Sequence, residues 1–196
     1  MIAYTDPIEA TELQELLTRY DDALLEHIRV EIDDDLYYNR FMKAFDRRGE
    51  VVFALDLPGG ILVHRKAFYQ DGLFRLPSGG IDYGEKVIDA LHREIREETG
   101  LHCSEERLLG IQDCQLELEG RAVRFVSYVF HVYAHGELRL DPNESIVAVR
   151  LIAPAELKDI AESLRHTPRP HAGWGRWRAL AHDLAYRRLA SPEVEK

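Results

Sequence analysis

Gly79-Gly80-Ile81-Asp82-Tyr83-Gly84-Glu85, followed after seven residues by Arg93-Glu94-Ile95-Arg96-Glu97-Glu98-Thr99-Gly100-Leu101, is the most informative stretch of the 196-residue chain. Val87, Ile88, Ala90, Leu91 and Ile95 recur at helical spacing and predict a helix over 86–99, with Gly100 as its left-handed stop. On that helix Glu94, Glu97 and Glu98 fall within one turn and share a face. Close like charges cost roughly a few tenths of a kcal/mol per pair even when solvated. A bound cation would relieve them, and hard divalent cations prefer carboxylate oxygens. Arg93 and Arg96 stand in the same turn and can brace the glutamates through charge-assisted hydrogen bonds. Gly79, Gly80 and Gly84 allow a tight turn, a close approach to a ligand and a carbonyl offered to a metal. A solvated charged helix after an ordinary turn would account for the acids, but not for glycines and acids occurring together.

Working outward, 37–76 reads as short β-rich pieces, Tyr38–Phe45, Val51–Leu57, Ile61–Arg65 and Leu73–Leu76, with turn signals at Arg48-Gly49 and Pro58-Gly59-Gly60. Beyond the helix, strands are expected at 107–118, 122–134 and 145–152, then a helix from Pro154 to 164. A loop rich in proline, histidine and glycine over 166–175 leads to a last helix over 176–190. Toward the N-terminus, Leu13, Leu16, Leu17, Tyr20, Leu24, Leu25 and Ile28 predict one helix over 8–28. That helix either covers the domain or forms a two-fold contact in a homodimer. Asp33, Asp34 and Asp35 end its pattern. Strands with helices inserted between them point to an α/β sandwich.

A hydrophobic content of 45% and a charged content of 31% fit a globular protein. The net charge of −10 argues against nucleic acid as a partner. There is no apolar run long enough for a transmembrane helix and no secretory start, so the expected location is the cytoplasm. Cys103 and Cys114 lack zinc-type spacing and read as small packing residues.

Glycine, five residues, glutamate, seven residues, then Arg-Glu-apolar-x-Glu-Glu-x-Gly-apolar: in this arrangement Gly79, Glu85, Arg93, Glu94, Ile95, Glu97, Glu98, Gly100 and Leu101 resemble the Nudix box. Ser78 departs from the form in which two glycines open the box. The resemblance extends over about 37–165. It implies an α/β/α sandwich with a mixed sheet, flanked here by an N-terminal helical extension (1–36) and a C-terminal loop and helix (166–196) packed on the same domain. It further implies a hydrolase that cuts a diphosphate linkage in a small organic molecule, using Mg2+ or Mn2+. By motif position Glu97 and Glu98 correspond to the main metal ligands, Glu94 to a further ligand or the base, and Gly79 to a carbonyl ligand. Arg93 and Glu85 correspond to supports of the acidic turn. Glu144 is the first candidate for a base outside the box, with Glu117 and Glu119 as alternatives. Gln115-Leu116-Glu117-Leu118-Glu119 carries neither the proline mark of ADP-sugar members nor the tyrosine mark of dinucleoside polyphosphate members.

Arg169, Trp174 and Arg176 lie in the one region where arginine, histidine and tryptophan gather. They read either as a lid over the substrate or, for the tryptophans, as packing against the sheet. Two other readings use the same resemblance. One is a ligand sensor without catalysis, which the intact box disfavours. The other is an isoprenoid-diphosphate isomerase, which needs a reactive cysteine.

Overall fold

A computed structural model describes residues 8–32 and 47–190. The apolar pattern of the chain is resolved there into helices on both faces of one mixed sheet. In chain order the elements are α1 (Ala10–Arg19), β1 (Leu24–Glu31), β2 (Gly49–Leu57), β3 (Gly60–Lys66), β4 (Ser78–Ile81) and α2 (Val87–Thr99). Then follow β5 (His102–Leu118), β6 (Arg121–His135), β7 (Ile146–Ile152), α3 (Leu157–Arg165) and α4 (Ala172–Leu189). The strand order is β1-β5-β6-β2-β3-β7, with β4 paired to β2. β1–β5 and β2–β6 are parallel, and β2–β3, β2–β4, β3–β7 and β5–β6 are antiparallel.

Successive strand residues point to opposite faces, and β2 shows how this makes two cores. Val51, Phe53 and Leu55 meet Leu91 and Ile95 of α2 and Leu16 of α1 on one face. Val52 and Ala54 belong to the other core, with Leu164 of α3 and Trp177 and Leu184 of α4. The expected α/β/α sandwich is therefore present, and no helix among the described residues is long and apolar enough to cross a membrane.

Several expected boundaries move. The predicted helix over 8–28 is a helix only to Arg19; Leu24–Glu31 is a strand parallel to β5. Leu24 and Ile28 fit both helical and alternating spacing. The turn at Asp21-Asp22 and the β-branched Ile28, Val30 and Ile32 at steps of two decide for the strand. Leu73–Leu76 contributes only a bridge between Arg75 and His64, whereas Ser78–Ile81, read as turn, pairs with β2. The last helix starts at Ala172, so the loop after α3 is 166–171. Tyr38–Phe45 and the Asp33–Asp35 run lie outside the described residues.

α1 is built into the support of α2. The Glu12 carboxylate accepts the backbone N–H of Val87 at 2.7 Å, and an acid at a helix N-terminus is favourable. Its other oxygen takes the Arg48 guanidinium at 2.6 Å, and Arg48 also donates to the carbonyl of Glu85. Arg48 and Glu12 side chains are 3% and 12% exposed, so this is a buried pair. Glu12→Ala leaves the guanidinium buried without its counter-charge and is expected to cost about 3–5 kcal/mol. Urea unfolding of the full chain checks this; an unchanged midpoint contradicts the role given to Glu12.

Candidate active site on the acidic turn of α2

The site begins where β4 runs into α2. The left-handed Gly100, at φ 71°, ends the helix, its N–H returning to the Arg96 carbonyl at 2.9 Å. The acidic turn therefore lies at the end of a rigid rod seated on the sheet through Leu91 and Ile95. Glu94, Glu97 and Glu98 do share this turn, and their surroundings differ sharply. Glu97 is half exposed, Glu94 is largely covered, and Glu98 is buried at 1%.

Arg93 joins the parts. Its Nε and Nη2 grip the two oxygens of Glu85, both at 2.8 Å, a bidentate pair. Nη2 also reaches the carbonyl of Gly80 at 2.8 Å, and Nη1 reaches Glu94 at 2.7 Å and Glu97 at 3.0 Å. Glu85 in turn accepts the N–H of Asp82 at 3.0 Å, which closes the loop before the helix. The hydrogen bond from Arg93 holds the Glu85 carboxyl below its ordinary range, against the effect of burial.

Gly79 faces Glu94 directly. A Cβ on Gly79 would stand 1.7 Å from the Glu94 carboxyl carbon, so the carboxylate occupies the space a side chain would need. Burial pushes Glu94 up to about 7; the hydrogen bond and charge of Arg93 oppose the rise, and Glu98 and Glu97 add to it. Burial also raises Glu98, with Lys66 and Arg75 opposing and Glu144 adding.

Glu98 is where the site reaches into the sheet. Lys66, at the end of β3, places its ammonium 2.9 Å from Glu98 and 3.0 Å from Glu144. Burial pulls Lys66 down, but the two carboxylates outweigh it and raise the group. His64 stands 4.0 Å from the second Glu98 oxygen. Burial, then the charges of Arg75 and Lys66, hold His64 well below its usual range, so it is neutral and forms no ion pair. The Glu98 Oε2 atom and both His64 ring nitrogens are buried without hydrogen-bond partners. A buried carboxylate oxygen without a partner is costly. Five carboxylates (Glu85, Glu94, Glu97, Glu98 and Glu144) share direct contact with two cations, Arg93 and Lys66. The donor set is all oxygen and in excess negative charge, so the residues present fit a hard divalent cation.

Glu144 thus comes into the cluster through Lys66. Glu117 instead meets Arg29 and Gln115, and Glu119 sits in the β5–β6 turn. Lys66, His64 and Arg75 were missed by the sequence reading. The run Ile61-Leu62-Val63-His64-Arg65-Lys66 looks like a strand with a solvated basic end, and only the pairing of β3 and β4 beside β2 brings that end to α2.

A family model for the NUDIX domain matches residues 46–172, about two-thirds of the chain. The chain belongs to the Nudix family. Among curated Nudix-type relatives, human 8-oxo-dGDP phosphatase NUDT18 is 39% identical over 59 residues, 30% of this chain and 16% of that protein. An ADP-ribose pyrophosphatase of Methanocaldococcus jannaschii is 45% identical over 51 residues, 26% of this chain and 30% of that one. The matched part is thus under a third of either relative's length. Among solved structures, the E. coli ORF135 protein aligns with TM-score 0.48 and 24% identity, covering 74% of this chain and 93% of its own. The MutT NUDIX hydrolase of Burkholderia pseudomallei aligns with TM-score 0.47 and 23% identity over 69% of this chain and 95% of its own.

Outside the Nudix box, the lid reading of Arg169, Trp174 and Arg176 does not hold for Trp174. Trp174 and Trp177 are 4% and 3% exposed, in the core, against Tyr69 and Phe125 at 5.2 and 5.3 Å between ring centres. Arg176 donates to the carbonyl of Glu31 at 2.7 Å, tying α4 to the end of β1; Arg169 is exposed in the 166–171 loop. The reactive cysteine of the isomerase reading is not supplied either, since burial raises both thiols, Cys103 to about 12. Trp174→Ala is expected to cost about 3–5 kcal/mol through the cavity it leaves. Thermal or urea unfolding checks this; a soluble, equally stable variant would return Trp174 to the list of ligand contacts.

Proposed function

We propose that the chain is a metal-dependent hydrolase of a diphosphate linkage in a nucleoside diphosphate or a related organic diphosphate. The observation that carries this is the acidic turn itself: Glu94 and Glu97 gathered by Arg93, and Glu98 held beside them by Lys66 with one buried oxygen left unpartnered. Glu94, Glu97 and Glu98, with the carbonyl of Gly79, would hold magnesium or manganese. When bound, such an ion supplies positive charge for the diphosphate oxygens and lowers the pKa of water.

The protein's own groups do the rest. Arg93 keeps Glu94 and Glu97 at fixed separation although they repel. Glu94, packed beside Gly79, would serve as a further ligand or as the base that takes a proton from the attacking water, and Glu144, paired with Lys66, is the candidate base outside the box. Lys66 supplies a fixed positive charge beside the acids, useful where charge builds on phosphate oxygens. The names of the two curated relatives, an 8-oxo-dGDP phosphatase and an ADP-ribose pyrophosphatase, support a nucleoside diphosphate core in the substrate. Arg169 remains a candidate for the outer phosphate.

A screen of nucleoside diphosphates and their derivatives, with products identified, tests this. Turnover should require magnesium or manganese and stop in excess chelator. Glu98→Gln should lower it by orders of magnitude while the unfolding midpoint is retained. Gly79→Ala is the finer test. Its methyl group displaces Glu94 without straining the backbone, so turnover should fall about 10²-fold with little change in stability. Full activity in chelator, or in Glu98→Gln, would overturn the proposal.

A further inference from the structure

On another side of α2 a second group of ligand-type side chains converges, and the proposed hydrolysis does not use it. His92, Cys103 and Glu106 each present one donor atom, all within 4.8 Å of one another. Cys103 and Glu106 are three apart on β5, a spacing that in a regular strand puts them on opposite faces. The pairing of β5 with β6 shifts register between Cys103 and Glu105, and this bulge turns both side chains to the same side. His92 reaches them from α2. The sequence alone therefore showed no metal-type spacing around Cys103.

The two distances to Glu106 match those between neighbouring ligands of one ion. Zinc bonds of roughly 2.0–2.3 Å in a tetrahedron place neighbouring ligand atoms about 3.4–3.6 Å apart. Cys103 Sγ lies 3.4 Å from Glu106 Oε2, and His92 Nε2 lies 3.5 Å from the same oxygen. His92 Nε2 is shielded from water and makes no hydrogen bond. Glu106, with its side chain 10% exposed, is held by its other oxygen: Arg19 donates to Oε1 at 2.5 Å and the Tyr20 hydroxyl at 3.1 Å. That grip leaves Oε2 aimed at Cys103 and His92, the orienting role that outer partners play around metal ligands.

We propose that His92 Nε2, Cys103 Sγ and Glu106 Oε2 form a zinc-type site, separate from the acidic turn. Sulfur and imidazole select a softer ion than the all-oxygen set of Glu94, Glu97 and Glu98. In the absence of an ion the Cys103 thiol donates its proton to Glu106. The ion replaces that proton, which leaves to solvent, so binding releases one proton and needs no redox partner. It would clamp α2 to β5, and through Arg19 and Tyr20 to the end of α1, and so stiffen the helix that carries the Nudix glutamates.

Cobalt(II) is the direct probe, added to the full chain in excess magnesium so that the acidic turn is filled. The expected result is a near-ultraviolet sulfur-to-cobalt charge-transfer band with intense visible bands of tetrahedral cobalt, saturating at one equivalent and bleached by zinc. Cys103→Ser should abolish the charge-transfer band. Cys114→Ala should leave it, because Cys114 is fully buried in the opposite core. One equivalent of zinc should raise the unfolding midpoint of the unmodified chain and not that of Cys103→Ser. If Cys103→Ser does not fold, His92→Gln takes its place, with loss of the visible tetrahedral bands as the readout. No charge-transfer band at saturating cobalt, or a band that survives Cys103→Ser, overturns the site.

Discussion

The fork of Arg93 is the interaction on which the rest of the site depends. Three glutamates on one helical turn repel, and a fourth, Glu85, closes the loop before the helix. One guanidinium satisfies Glu85, Glu94, Glu97 and the carbonyl of Gly80 together. A lysine has a point charge where arginine has a planar fork, and could not span these acceptors in the same geometry. The result is a preorganised turn with excess negative charge. That state is tolerable because Lys66 compensates Glu98, and a bound cation would compensate the remaining acids.

The turn is held in place by elements far away in sequence. Glu12 of α1 and Arg48 before β2 fix the start of α2, and Leu91 and Ile95 seat it on β2. The opposite face is closed by α3 and by α4, and the two tryptophans of α4 fill the core there. His182 of α4 accepts the N–H of Leu76, just before β4, and the Arg75 guanidinium donates to Ser78 on that strand. Each element next to the acidic turn therefore has a buried polar or apolar anchor, which is what a catalytic constellation needs from its scaffold.

Local rules explain what could be read in advance. The spacing of Val87, Ala90, Leu91 and Ile95, with Gly100 after them, gives α2 its limits without tertiary information. The β-branched and aromatic run Val123–Phe130 does much the same for β6. Leu24–Glu31 was misread because a four-residue step of leucine and isoleucine suits either period, and only pairing with β5 separates them. Trp174 was ambiguous because its glycine neighbours suggest a loop, whereas in α4 Gly173 allows close packing against Ile32 and Gly175 against the Leu164 carbonyl of α3. Lys66 and the Cys103–Glu106 pair depend on sheet order and a bulge, which no local pattern encodes. Of the site, the box was legible; the partners that compensate it were not.

The central claim is that the acidic turn of α2 is assembled to receive a divalent cation. Crystals of the full chain soaked in manganese, measured near the manganese absorption edge, test it most directly. The account predicts an anomalous peak bounded by the carboxylates of Glu94, Glu97 and Glu98 and the carbonyl of Gly79. No peak at that turn at saturating manganese would contradict it.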